Sequence, residues 1–363
     1  MSKRLNDYIT LGRSGLRVSP VSLGTMTFGE EWGWGAGEAE SRTMLDTYME
    51  RGGNFIDTAN FYTRSHSEKI IGDHVGRHPA RRDRLVIATK FSGNLYPGDP
   101  NGGGSGRKSL INACENSLRR LQTDYIDLYW LHMWDANTPI EETMAALDDL
   151  VRAGKVRYIG VSDTPAWKIV EANLIARFRG WSQFVGLQIE YSLLQRSVEQ
   201  ELVPMASEFG LGITPWSPLK GGVLSGKYTR RNDGQHKADR GALIDSSLNE
   251  ETYALIDELE LIAKAHETTV ASVALAWVRA QPAVSSVIIG ARRLSQLDDN
   301  LRAVDVELTA EELARLDTLT EPTFGFPHDM LAMAASIING GTTVNGASAP
   351  ISEYVMPEGV RPY

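Results

Sequence analysis

TDYIDLYWLHMWD, residues 123–135, decides the fold. From Ile126 to Leu131 it is apolar at nearly every position rather than every second one, as in a strand covered on both faces, and it stops at His132. Seven other runs have the same character: VSPVSLGTM (18–26), NFIDTA (54–59), LVIATKF (85–91), VRYIGVSD (156–163), FVGLQIEYS (184–192), GITPWSP (212–218) and SSVIIGA (285–291). Between them lie helical patterns of crossover length, at about 38–51, 67–77, 108–121, 140–153, 165–178, 197–209 and 269–280. Eight apolar strands alternating with helices predict an α/β fold, a (β/α)8 TIM barrel, rather than a doubly wound sheet with its Gly-rich first turn.

Punctuation agrees with that reading. Gly154 falls just past the fourth helix, and Thr138-Pro139 reads as its N-cap and first turn. Thr309 and Glu312 in LTAEE form a capping-box pattern before a last helix at about 309–319. Two connections, 92–109 and about 219–250, are too long for plain turns. Both leave strand C-terminal ends, so the barrel is expected to carry long loops over its C-terminal face, where barrel active sites are built. After residue 320 the chain becomes rich in Gly, Ser, Thr and Pro, so the expected division is a barrel at 1–320 and a C-terminal extension at 321–363.

Composition narrows the function. The 363-residue chain is 42% hydrophobic and carries a net charge of −9, enough apolar surface for a large core and too little clustered positive charge for a phosphate-backbone binder. A small-molecule partner fits better than nucleic acid. The single cysteine, Cys114, rules out an internal disulfide, and the basic start MSKRLNDYITLGRSGLRV has no apolar run after it. No stretch approaches the roughly 18 apolar residues of a membrane span, so a soluble cytoplasmic protein is expected, with helices outside the barrel free to pair in a homo-oligomer.

Several suggestive groups fail on inspection. In NGGGSGRKS, Arg107 separates Gly106 from Lys108, which breaks the Gly-Lys-[Ser/Thr] end of a phosphate loop. His74 and His78 have a metal-like spacing but no third ligand nearby, so no metal is expected, and His66, His236, His266 and His328 join no constellation. The Trp-rich EEWGWGAG at 30–37 reads equally as core aromatics or as a loop whose Trp32 and Trp34 line a substrate pocket.

Four polar residues fall at neighbouring strand ends: Asp57 and Tyr62 in FIDTANFY, Lys90 in IATKF and His132 in YWLH. Burying them together is costly unless they pair. The chemistry they suggest is protonation of a developing oxyanion. Lys90 favours the phenolate and so eases proton release from Tyr62, Asp57 keeps Lys90 charged, and His132 orients the substrate oxygen. No nucleophile elbow is visible to create that oxyanion, and hydride from a nicotinamide would do so.

FIDTANFY, IATKF, TDYIDLYWLHMWD, KVRYIGVSD, LQIEYSLL, TPWSPLKGGVLSGKY and IIGARRLSQLDDNL, in this order, resemble the aldo-keto reductase superfamily from about residue 8 to 320. The resemblance implies a catalytic set of Tyr62, Lys90, Asp57 and His132, and NADPH lying extended over the barrel without a Rossmann domain. It implies that Thr25 and Met26 lie near the nicotinamide ribose, that Asp57 is also among the cofactor-binding residues, that Ser162, Asp163 and Gln188 hydrogen-bond the carboxamide, and that Trp216 stacks on the ring. By the same resemblance Ser217, Pro218, Leu219, Gly221 and Lys227 contact the pyrophosphate, with Arg240 a looser match. Gly290, Ala291, Arg292, Gln296, Asp299 and Asn300 form the adenosine site, Arg292 gripping the 2′-phosphate and, with Arg293, favouring NADPH over NADH. One departure is Asp163, where GVSN is usual in the family; a carboxylate cannot donate to the carboxamide oxygen.

The implied reaction is NADP-dependent reduction of an aldehyde or ketone, with Trp32, Trp34, Phe28, Phe91 and Trp134 as aromatic candidates for the carbonyl substrate's pocket. The motifs also resemble potassium channel β-subunits, which makes a redox-sensing regulatory subunit the alternative.

Overall fold

The structure is a computed structural model describing residues 4–232, 247–331, 333–357 and 359–360. Strands β1 (Ile9–Thr10) and β2 (Arg17–Val18) form a hairpin ahead of the main sheet, an element the sequence reading lacks. The main sheet holds β3 (Val21–Gly24), β4 (Phe55–Asp57), β5 (Val86–Phe91), β6 (Ile126–Leu131), β7 (Val156–Ser162), β8 (Phe184–Glu190), β9 (Gly212–Trp216) and β10 (Val287–Gly290). Their order is β10-β3-β4-β5-β6-β7-β8-β9, every pairing parallel. Between β9 and the stretch before β10 the ring closes through a short parallel bridge: Ile213 N donates to Ala283 O at 2.7 Å, and Ser285 N donates to Ile213 O at 2.8 Å. The result is the expected (β/α)8 barrel.

Side chains alternate along each strand. Ile87, Tyr129 and Leu187 face the helices and join the large outer core. Phe55, Val86, Ala88, Leu128 and Trp130 face the barrel axis, where Leu11, Leu16 and Val18 of the hairpin pack beneath them and close the N-terminal end. Substrate access is therefore confined to the other end, where the strands finish.

Trp130 fits inside the barrel only because its register neighbours on the next two strands, Gly160 of β7 and Gly186 of β8, have no side chain. A Cβ on Gly160 would lie 2.3 Å from the indole carbons, and one on Gly186 2.9 Å. Gly160→Ala is accordingly expected to cost about 1–3 kcal/mol through overpacking, measurable as a lower urea midpoint at unchanged slope.

Thr309 and Glu312 do form the capping box, starting the helix Ala310–Leu319. Thr138 does not cap its helix: Pro139 holds the N-cap position of Ile140–Arg152, and the Thr138 hydroxyl donates instead to Asp135 Oδ2 at 2.7 Å. Residues up to Thr320 form one compact unit. Glu321–Tyr363 form another, with short helices His328–Leu331 and Ala334–Ile338 and a hairpin of β11 (Thr343–Val344) and β12 (Ala347–Ser348). Among the described residues no helix is long and apolar enough to cross a membrane.

Candidate active site

The register of three adjacent strands assembles the polar cluster. β4 ends at Asp57, β5 brings Lys90 in from the next strand, and β6 delivers His132 one residue past its end. Lys90 is fully buried and its ammonium spends all three protons: on Asp57 Oδ1 as an ion pair, on Thr58 O at 2.9 Å and on Tyr62 Oη at 3.0 Å. Burial is the largest single effect and works against that charge, but Asp57 and Tyr62 together outweigh it and the Lys90 pKa is raised. The second Asp57 oxygen accepts from Gln188 Nε2 at 3.0 Å, so this pair is satisfied on both sides.

Tyr62 corrects one expectation. Lys90 does pull its pKa down, yet desolvation is the larger effect and, with the negative charges of Asp57 and Asp163, it leaves the phenol raised. Although the residue as a whole is only half-buried, its hydroxyl lies against the buried ammonium. The resting group is firmly a phenol, and the lysine's contribution is to hold and polarise it.

His132 is the opposite case. Burial, reinforced by the Lys90 charge, lowers its pKa to about 2, so the imidazole is neutral at any ordinary pH. Its Nδ1 is buried without a partner among the described residues. A neutral ring can donate one hydrogen bond to a substrate oxygen but supplies no proton at a useful rate.

Tyr62 is carried on an unusual turn. Thr63, Arg64 and Ser65 all lie in the left-handed region, with φ of 46°, 55° and 77°. None is glycine, so each costs about 1–2 kcal/mol. Side chains hold the turn in place. Thr63 Oγ1 donates to Phe28 O at 2.7 Å and accepts from Ser67 N at 3.0 Å, while Ser65 Oγ donates to Asn60 O at 2.8 Å. His66, which the sequence left without a role, bonds Glu31 through Nδ1 and Glu38 through Nε2 at 3.2 Å, tying the Trp-bearing loop to the same turn.

The aromatic candidates divide. Trp32 stands 5.7 Å from Trp34 and 6.4 Å from Tyr62, so that loop does reach the mouth. Phe61 was missed: its ring stacks on His132 at 5.1 Å. Its place beside Tyr62 in an otherwise polar loop was the available signal. Phe91 is a correction. Because Lys90 points inward, its neighbour on β5 points outward, where Phe91 is fully buried against Tyr129 at 4.8 Å and cannot line a pocket. Phe28 is likewise fully buried in the outer core. Trp134 packs edge-on to Trp167 at 5.7 Å with Lys168 above it, and among the described residues it makes no ring contact with Tyr62 or His132.

Further polar groups ring the mouth. Thr25 is buried and donates to Asp57 O at 3.1 Å, whereas Met26 beside it is exposed. Trp216 Nε1 donates to Asp163 Oδ1 at 3.0 Å. Ser162 Oγ is buried with no well-formed hydrogen bond, though close enough to Asp163 to draw that carboxyl slightly down. Beyond Ser217, Pro218 and Leu219 the chain turns through Gly221 and Gly222, at φ 65° and 107°, where nothing lies within 4 Å of an added Cβ. That leaves bare backbone facing open space, and Lys227 follows it. Past Gly290, Arg292 N donates to Gln296 Oε1 at 2.9 Å, Asn300 Nδ2 donates to Gly290 O at 3.2 Å, and Asp299 sits in the helix Leu294–Leu301. Arg240 lies outside the described residues. No His/Cys/Asp/Glu group among the described residues could hold a metal.

Comparison with known proteins agrees with this arrangement. The family model described as "Aldo/keto reductase family" matches residues 20–321. An aryl-alcohol dehydrogenase of Pestalotiopsis microspora is 36% identical over 96% of this chain and 91% of its own length. A norsolorinic acid reductase of Aspergillus flavus is 36% identical over 88% and 82%, and an uncharacterised oxidoreductase of Bacillus subtilis is 38% identical over 86% and 95%. A parallel eight-stranded barrel, a lysine shared between an aspartate and a tyrosine at its mouth, and a match spanning nearly the whole barrel lead to one conclusion: the chain belongs to the aldo/keto reductase family.

Proposed function

We propose that the protein is an NADP-dependent oxidoreductase that reduces aldehydes or ketones to alcohols, with Tyr62 as the proton donor. The observation that carries this reading is Lys90 Nζ, 3.0 Å from Tyr62 Oη while ion-paired to Asp57. A phenol held by a fixed ammonium can give up its proton to an alkoxide oxygen, because Lys90 stabilises the phenolate as it forms. Neutral His132 orients that oxygen by donating one hydrogen bond, and Phe61, stacked on the imidazole, keeps water off it. Asp57 and Gln188 keep the ammonium in register throughout.

The residues present fit a nicotinamide cofactor. Ser162 Oγ, buried and unbonded, and Gln188, whose amide nitrogen is committed to Asp57 and whose oxygen is left to accept, suit a carboxamide; Trp216 offers a ring face. Gly221 and Gly222 give phosphates a backbone they can approach closely. When bound in its reduced form, the cofactor supplies the hydride for the carbonyl carbon. The Trp32, Trp34 and Phe61 rings beside Tyr62 favour aromatic carbonyl compounds, consistent with relatives named for an aryl alcohol and for norsolorinic acid.

The direct test follows loss of NADPH absorbance against a panel of aromatic and aliphatic aldehydes and ketones. Turnover of none would overturn the reading. Preference for NADPH over NADH is assigned to Arg292. Arg292→Ala is expected to raise KM for NADPH about tenfold or more, the worth of a charge-assisted phosphate contact, while KM for NADH stays nearly constant. Equal effects on both cofactors would remove Arg292 from that role.

A further inference from the structure

We propose that Asp163 sets the redox preference of the site, its carboxylate binding the cationic oxidised nicotinamide ring more tightly than the neutral reduced one. The inference rests on the nicotinamide reading above and deepens it.

The geometry fixes the carboxylate in place. Asp163 follows β7 directly and adopts a left-handed φ of 41°, and its Oδ1 is anchored by the Trp216 indole at 3.0 Å. Its field reaches the reacting centre. Asp163 N donates to Gln188 O at 3.4 Å, and Gln188 Nε2 donates to Asp57 Oδ2 at 3.0 Å, so the carboxylate adjoins the group that holds the Lys90–Tyr62 pair and a ring reacting beside Tyr62 sits in the same neighbourhood; in keeping with that, the Asp163 charge raises the Tyr62 phenol.

The other charges there cancel in pairs. Lys90 of β5 is bound to Asp57 of β4, and Glu190 of β8 is bound to Lys220 at 2.7 Å. Among the described residues Asp163 forms no ion pair; its hydrogen-bond partners carry no charge. One uncompensated negative charge therefore remains next to the position where a ring gains a positive charge on losing hydride. Asparagine at this place would still accept from the indole through its oxygen, in a weaker neutral bond, but supply no charge.

Unit charges several ångström apart in an effective dielectric of about 20 attract strongly enough to alter affinity tens of fold. Because Asp163 is exposed on one side, we expect about tenfold. The oxidised and reduced cofactors carry the same phosphates, so the ratio of their affinities isolates the ring charge. A tenfold preference for the oxidised form lowers the two-electron potential of the bound couple by about 30 mV. Bound NADPH then gives hydride more readily, and the oxidised product is held longer.

Desolvation raises the Asp163 carboxyl from its ordinary value, against the Trp216 bond and the Lys90 charge. The preference should accordingly fade as the pH falls through that raised value.

The test compares dissociation constants of NADP+ and NADPH for the full chain, read by tryptophan fluorescence quenching or calorimetry, in wild type and Asp163→Asn across a range of pH. Asparagine tolerates left-handed φ, so the variant keeps its backbone, which circular dichroism verifies. The expected result is that the Kd ratio NADP+/NADPH rises about tenfold in the variant, mainly by weaker NADP+ binding, and no longer changes with pH. An unmoved ratio, or an equal loss for both cofactors, overturns the role of Asp163 while leaving the nicotinamide site intact. If wild type binds neither cofactor, the reading of the site falls, and this inference with it.

Discussion

Tyr62→Phe is expected to lower kcat for carbonyl reduction by roughly 10²–10⁴-fold, the usual worth of a positioned general acid. The loss should appear in kcat, with NADPH affinity changed by no more than about twofold, because no group implicated in holding the cofactor is removed. The fold should survive as well. Lys90 loses only one of three hydrogen-bond acceptors and keeps Asp57 and Thr58 O, so the cost is that of one buried donor left unsatisfied, about 1–3 kcal/mol. Stopped-flow single turnovers with a fixed aldehyde separate the effect on chemistry from any effect on product release. A variant with wild-type kcat would transfer the acid role elsewhere.

Lys90→Met has the second large effect, and it is felt twice. It removes the charge that stabilises the phenolate, so turnover should fall at least as far as in Tyr62→Phe. It also leaves Asp57 buried with only Gln188 Nε2 on its side chain. An uncompensated buried charge of this kind destabilises by about 3–5 kcal/mol. Urea titration should show that loss, and the double variant Asp57→Asn, Lys90→Met should recover much of it without recovering activity. If the single variant were as stable as wild type, the Lys90–Asp57 ion pair would not support the fold.

Much of this is legible in the amino-acid sequence. Strands packed inside a parallel barrel have no solvent face, so a run such as Ile126–Leu131 reads as continuous apolar sequence, and the polar residue that ends it is conspicuous. The acid, lysine and histidine of the mouth announced themselves in that way, and the phenol by following the acid five residues on. The hairpin did not, because two residues per strand carry no period. The error over Phe91 lay within reach of the sequence: once Lys90 is directed inward, the two-residue repeat sends Phe91 outward. His66 was out of reach, since its partners Glu31 and Glu38 are 35 and 28 residues away and nothing local marks them. The direction of the Tyr62 pKa was equally hidden, because pairwise charges can be guessed from neighbouring strands whereas desolvation depends on the completed mouth.

The hairpin at Ile9–Val18 has a consequence for synthesis. Arg13 N donates to Gly210 O at 2.8 Å, and Gly12 lies so close to Gly210 and Gly212 that an added Cβ would come within 2.5 Å of their backbone. Those partners leave the ribosome roughly 200 residues after the hairpin does, a delay of roughly 10–40 s at ordinary elongation rates. Through that interval Leu11, Leu16 and Val18 have only the early strands to cover them. β3 waits longer still for β10, its neighbour on the other side. The hairpin and β3 are thus translated well before the partners that seat them, and their packing is completed only once β9 and β10 have been made.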